Sequence, residues 1–137
     1  MDDQGYRVSW SFTIPGQPPS VNKSYRITQQ DGLKKDGSPY TYRTLSKRKE
    51  VLDYQAVAAM VCRTAKPRGW KPAGFVVVEM ELFMVRHVDA DNTIKAIFDS
   101  IEAATGVNDK WYLPCVKSAQ VGFKPQTACV KVTIREA

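Results

Sequence analysis

An α+β fold, a mixed β-sheet flanked by two helices in the order β-(hairpin)-α-β-α-β-β, is what the hydrophobic spacing of this sequence predicts. Three observations carry that reading. Val8, Trp10, Phe12 and Ile14 alternate with Arg7, Ser9, Ser11 and Thr13, the two-residue period of a half-buried strand. Val51, Tyr54, Ala58 and Val61 recur at helical spacing. Between residues 76 and 101 the period switches from two to that of a helix, the mark of a strand feeding a helix.

Taken in order, the first strand ends at Pro15, and Pro15 to Ser20 is a loop rich in proline and serine. Leu33 to Thr44, with Asp36-Gly37 and the alternating Tyr40-Thr41-Tyr42, predicts a short hairpin projecting from the body. Ser46 is the expected N-cap of the first helix, which Lys66-Pro67 ends. Its first turn then carries Lys47, Arg48 and Lys49, charges of the wrong sign for the positive end of a helix dipole. A bound anion would offset that cost, and a solvated face would tolerate it.

The next strand is expected from Val76 to Val85, with Val78, Met80, Leu82 and Met84 on one face and Glu79 and Glu81 on the other. Asp91 or Asn92 is the expected cap of the second helix, whose apolar stripe is Ile94, Phe98 and Ile101 and which Thr105-Gly106 closes. Gly106-Val107-Asn108-Asp109 reads as a turn. Two final strands, roughly Val116 to Phe123 and Ala128 to Ile134, are joined by Lys124-Pro125-Gln126 and are expected to pair antiparallel.

Composition narrows the class. At 137 residues, with 43% hydrophobic and 25% charged residues, one globular domain over residues 1–137 is expected, since no second core is required. No apolar run approaches the about 20 residues of a membrane span, and Met1-Asp2-Asp3-Gln4-Gly5 lacks the basic and apolar regions of a signal peptide. A cytoplasmic location without membrane contact is expected. Cys62, Cys115 and Cys129 are odd in number, far apart and set in apolar stretches, which points to reduced packing residues and away from a disulfide framework or zinc site. The single histidine, His87, reads as structural or as a phosphate contact.

Charge is unevenly spread. Residues 1–74 hold 13 Lys/Arg against 6 Asp/Glu, and residues 75–137 hold 7 against 8. The front half is the one suited to a polyanion.

Against that basic background stands the run Asp89-Ala90-Asp91-Asn92-Thr93-Ile94-Lys95, with Asp109 eighteen residues beyond Asp91. Were the strand to stay extended through Arg86-His87-Val88, Asp89 and Asp91 would project to one side, because side chains alternate along a strand. Lys95 lies one helical turn after Asp91. Three carboxylates and an ammonium brought to one spot can hold a hard divalent cation beside a phosphate, since Mg²⁺ prefers oxygen ligands. Singly, each residue has an ordinary reading: Asp89 and Asp91 as helix caps, Asp109 as a turn former, Lys95 as a surface partner of Asp91 or Asp99.

The longer string discriminates. Asp89-x-Asp91-Asn92-x-x-Lys95-x-x-x-Asp99-x-Ile101, followed by a turn carrying Asp109 and preceded by Pro18-Pro19-Ser20-Val21-Asn22-Lys23-Ser24-Tyr25-Arg26, resembles the RusA family of Holliday junction resolvases. The resemblance implies a Mg²⁺-dependent endonuclease, with Mn²⁺ as a substitute and no other small-molecule cofactor, acting as a homodimer on four-way branched DNA. It implies Asp89, Asp91 and Asp109 as metal ligands and Lys95 as a fixed positive charge for the phosphate. Asn92 is a helix cap and Asp99 a structural residue on this reading, and Glu79 and Glu81 are weaker candidates for a fourth acid. DNA contacts are expected from Asn22, Lys23, Arg26, Lys34, Lys35, Arg43, Lys47, Arg48, Lys49, Arg86 and His87. Many relatives carry two adjacent acids in the turn, whereas here it reads Asn108-Asp109-Lys110-Trp111-Tyr112, and the segment from Gln29 to Thr41 is expanded. Two other functions fit the same residues: a catalytically silent branched-DNA-binding module, and a small RNA-binding protein in which Tyr25, Tyr40 and Tyr42 stack on bases.

Overall fold

The computed structural model describes residues 9–19, 25–47, 49–88 and 90–137, with backbone alone at 25–32, 39–47 and 90–92. Strand β1, Ser9–Pro15, buries Trp10, Phe12 and Ile14 and exposes the residues between them, as alternation requires. Strands β2, Tyr25–Leu33, and β3, Pro39–Lys47, form a two-stranded antiparallel sheet of their own. The turn falls at the expected Asp36-Gly37. Gly37 has φ +88°, and the Asp36 carboxylate accepts hydrogen bonds from the Ser38 hydroxyl and backbone N–H at 2.6 and 2.9 Å. The hairpin is longer than the expected 33–44, because pairing continues to Tyr25 opposite Lys47.

That pairing displaces the start of the first helix. Ser46 and Lys47 stay extended opposite Arg26 and Tyr25, so Ser46 is not an N-cap, and helix α1 runs Lys49–Ala65. Of the three basic residues expected in its first turn, Lys47 ends β3, Arg48 lies outside the described residues, and Lys49 alone is in the helix. The helix stops before Lys66-Pro67, as expected.

Strand β4, Val76–Phe83, buries Val76, Val78, Met80 and Leu82 on one face. Helix α2, Ala90–Thr105, follows, and a 3-10 turn at Asp109–Trp111 leads into β5, Tyr112–Gln120. Strand β6, Cys129–Glu136, closes the chain. The four-stranded mixed sheet has the order β1-β6-β4-β5, with β4 and β5 parallel and the other pairs antiparallel. The final strands are therefore not the antiparallel pair the sequence suggested. The α2 crossover returns the chain to the starting end of β4, which makes β5 parallel to it, and β6 inserts on the opposite side between β4 and β1.

The core lies between this sheet and the helices. Ile14, Met80, Leu82, Ile97, Ile101, Val130, Val132 and Ile134 are buried at its centre, with Ala58 and Cys62 from α1. The α2 face that enters the core is Thr93, Ala96, Ile97, Ser100 and Ile101, and Ile94 and Phe98 pack at its margin. Ser100 is tolerated there because its hydroxyl donates to the Ala96 carbonyl at 2.9 Å. The three cysteines are free; Cys62 is buried among apolar side chains, as a packing residue is, whereas Cys115 and Cys129 are half-buried outside the core. No helix among the described residues is long and apolar enough to cross a membrane.

Candidate functional site

The acidic run sits where β4 gives way to α2, at the carboxyl end of a parallel strand. Extended geometry does not persist to it. The strand ends at Phe83, and the chain bends at Val85-Arg86. The bend is held from outside: Gln17 Oε1 accepts the Val85 N–H at 2.7 Å and Gln17 Nε2 donates to the Arg86 carbonyl at 3.1 Å. Further bonds run from Met84 N–H to Gln120 and from Phe123 N–H to Met84. One side chain satisfying both backbone partners fixes the loop that launches α2. Sequence reasoning passed over Gln17, whose only signal is its place in the proline-rich segment beside Pro18-Pro19.

Helix α2 begins at Ala90, so Asp91 and Asn92 lie inside its first turn and neither is the N-cap. Asp89 lies outside the described residues. The expectation that strand parity aligns Asp89 with Asp91 falls with the bend. What remains is helical spacing: Lys95 follows Asp91 by four residues, and carboxylates early in a helix are favoured by its dipole. Lys95 Nζ lies 3.8 Å from Asp99 Oδ1, with side chains 57% and 30% exposed. An exposed pair of that kind adds little stability but directs the ammonium along the exposed side of α2. Asp99 is also 3.5 Å from Gln55 Nε2 of α1, which fits its structural reading. Arg86 and His87 are exposed in the bend.

Asp109 is elsewhere. Its backbone N–H donates to Glu102 Oε1 at 3.1 Å, near the carboxyl end of α2. Asp91 and Glu102 are eleven residues apart on one helix, about 16 Å along the axis at 1.5 Å per residue. Two carboxylates on one Mg²⁺ need oxygens about 2.0–2.1 Å from it. Asp91 and Asp109 therefore stand at opposite ends of α2, which corrects the turn expected to point Asp109 back at Asp91. The physical reason is the parallel register, which starts β5 beside Val76 and so at the far end of β4 from the acidic loop. Among the described residues, no three His, Cys, Asp or Glu side chains gather closely enough to hold a metal; Asp89 and the Asp91 side chain lie outside that set.

Around Asp109 the structure is built for packing. Gly106, with φ +77°, ends α2 in the left-handed conformation that glycine adopts at low cost. Asn108 caps the 3-10 turn by accepting the Lys110 N–H at 2.9 Å. Tyr112 donates to the Val107 carbonyl at 2.7 Å and packs edge-on against Phe98. Burial pushes its hydroxyl up to about 12, against a pull downward from the Thr105 hydroxyl. A cleft of about 280 Å³ opens here, lined by Lys71, Gly74, Asn108 and Trp111 among others.

The remaining candidates separate by place. Lys34 and Lys35 are exposed at the hairpin turn. Arg26, Arg43 and Lys47 lie on the hairpin strands, Lys49 opens α1, and Asn22, Lys23 and Arg48 are outside the described residues. Glu79 is bound by Arg135 at 2.9 Å and Lys117 at 3.8 Å, a lateral pairing on the open sheet face that leaves it a poor fourth acid. Comparison with known proteins finds no family model that matches the chain and no curated protein that matches it.

Proposed function

We propose that the chain is a Mg²⁺-dependent, structure-selective endodeoxyribonuclease that nicks four-way branched DNA as a two-fold dimer. The observation that carries the reading is Asp91 and Lys95 on successive turns at the start of α2, beside exposed Arg86 and His87. A helix N-terminus favours a phosphate, and the carboxylates of Asp89 and Asp91 would repel that phosphate without an intervening cation. Lys95 supplies a fixed positive charge where the phosphodiester's charge grows. Asp99 holds the lysine in place. Arg86, His87 and the hairpin lysines grip the backbone, so selectivity for a branch comes from shape more than from base edges. A four-way junction has approximate two-fold symmetry, and a C2 dimer meets it with one site on each of two opposing strands.

The distance of Asp109 from Asp91 favours one second reading, a module that binds junctions without cutting them. A labelled four-way junction, incubated with the protein in Mg²⁺ or in chelator, separates the two. The nuclease binds in both and makes paired nicks in Mg²⁺ alone. Binding in both with no nick in either establishes the silent module, and displacement by structured RNA at lower concentration than by a second junction establishes an RNA-binding protein.

A further inference from the structure

Strand β4 ends on Phe83, which has the parity of Glu79 and Glu81 and so stands on the sheet face away from the helices, opposite buried Met80 and Leu82. The loop between β5 and β6 meets it there. Met84 N–H donates to the Gln120 carbonyl at 2.8 Å, Phe123 N–H to the Met84 carbonyl at 3.0 Å and Gly122 N–H to the Val85 carbonyl at 3.3 Å. Gly122, with φ +94°, takes the left-handed conformation that this clamp needs. The turn that follows is held as firmly: the Lys124 carbonyl accepts the N–H groups of Thr127 and Ala128, each at 2.9 Å, and the Thr127 hydroxyl at 3.1 Å. In sequence, Lys124-Pro125-Gln126 reads as a connector; the fold fastens it to the bend that launches α2.

The clamp presents an apolar surface with cations around it. Val121 is 56% exposed. The half-buried rings of Phe83 and Phe123 meet edge-to-face at 5.4 Å. Lys131 stands between Glu81 and Thr13 in the sheet register, yet its ammonium lies over the Phe83 ring, 5.4 Å from the centre. Lys124, next to Phe123, and Arg86, in the bend, are exposed. Glu81 is the acid beside Lys131 on this face, and the acidic run lies past the bend at the head of α2. Lys124, Lys131 and Arg86 would repel a second copy of the same patch. They suit a ligand that carries both anionic groups and flat apolar faces, and a nucleic-acid strand has both. In a duplex each base face is covered by its neighbours, so only unpaired nucleotides offer faces to Val121 and the two rings.

We propose that Val121, Phe123 and Phe83, with Lys124, Lys131 and Arg86, form a subsite for an unpaired DNA strand, a single-stranded arm or tail of the branched substrate. The bases lie against the apolar side chains and the phosphates against the cations. Every base has a flat face, so the subsite tolerates any sequence. The three bonds to residues 84 and 85 set it at a fixed offset from α2, and a strand held there is led over the bend toward the phosphate held by Asp91 and Lys95. That last step rests on the nuclease reading above; the binding of the strand does not. Branched DNA with one single-stranded arm is thereby bound more tightly than the same branch with that arm paired.

Fluorescence anisotropy with a labelled oligo(dT) of about 12 nucleotides, within the span of one single-strand site, tests the subsite in chelator, where nothing is cut. Wild type is expected to bind it more tightly than a duplex of the same length. Val121→Asp, on a side chain already exposed, is expected to melt close to wild type and to bind oligo(dT) about 10-fold more weakly, as is Phe123→Ala. Should Phe123→Ala lose its fold, Val121→Asp decides. Changing Lys124 and Lys131 together to glutamine is expected to lower the slope of log affinity against log salt by about 1.4, at about 0.7 for each phosphate on a single strand. A wild type that prefers duplex, or a folded Val121→Asp protein that binds oligo(dT) like wild type, overturns the subsite. Tighter binding of oligo(rU) than of oligo(dU) overturns DNA as its strand. A wild type that binds oligo(dT) as expected and never nicks a junction sinks the nuclease reading and upholds the subsite.

Discussion

Single side chains here are governed by burial more than by charge. Desolvation raises the Cys62 thiol from 9.0 to about 12, with Arg63 and Lys66 pulling it back, and raises the Tyr112 hydroxyl from 10.0 to about 12. It raises the Tyr54 hydroxyl further, with electrostatic repulsion from Cys129 adding to the shift. All three are favoured in their neutral forms, so folding binds the proton more tightly than the unfolded chain does. Their contribution is complete below pH 9, and it is lost as pH climbs from there through about 12. Thermal melts between pH 8 and 12 are expected to fall steeply over that window, and Tyr112→Phe is expected to flatten the fall while lowering stability near neutrality by about 1 kcal/mol for the lost bond to Val107. Ile97, fully buried, is expected to cost about 2–5 kcal/mol as alanine, read from a urea midpoint. The sequence stripe of Ile94, Phe98 and Ile101 identified the helix but misjudged its azimuth by about one residue. The cause is that Thr93 and Ser100 occupy core positions: Ser100 bonds the helix carbonyl four residues back, so its hydroxyl does not read as polar exposure.

At the scale of elements, the local pattern was enough wherever a strand or helix decided its own fate. β1, the core face of β4, the stop of α1 before Lys66-Pro67 and the Gly106 end of α2 follow from spacing and caps alone. What was hidden depends on partners far along the chain: β3 absorbs Ser46 because Arg26 lies opposite, β4 stops at Phe83 because Gln17 captures the next turn, and β5 and β6 are separated because β6 pairs with β1 and β4. Gln17→Leu removes both bonds to the bend. Its single-turnover nicking is expected to fall by about 10²-fold while junction affinity stays near wild type, since misplacement by about 1 Å carries a cost of that order. The hairpin is expected to act through charge. Changing Lys34 and Lys35 together to glutamate should weaken junction binding and reduce the slope of log affinity against log salt by about 2, the signature of two lost phosphate contacts. An unchanged slope in a fluorescence-anisotropy titration would remove the hairpin turn from the interface.

For the whole molecule, the residues proposed for the site were legible in the sequence, and their arrangement in space was not. The order of acids and lysine along the chain pointed to phosphate and metal. It carried no information that parallel β4 and β5 send Asp109 to the opposite end of α2 from Asp91, because strand direction follows from which edge the crossover reaches. Asp91 and Lys95 remain together on one helix, and the exposed basic residues at the bend and hairpin turn are the ones on which the proposed phosphate contact rests. The most direct measurement is cleavage of a mobile four-way junction in Mg²⁺ by wild type and by Asp91→Asn, at matched occupancy. Wild type is expected to make symmetric nicks, and the variant to lose at least about 10²-fold in rate while binding the junction as tightly or more tightly. Equal cutting by the two proteins would contradict the account.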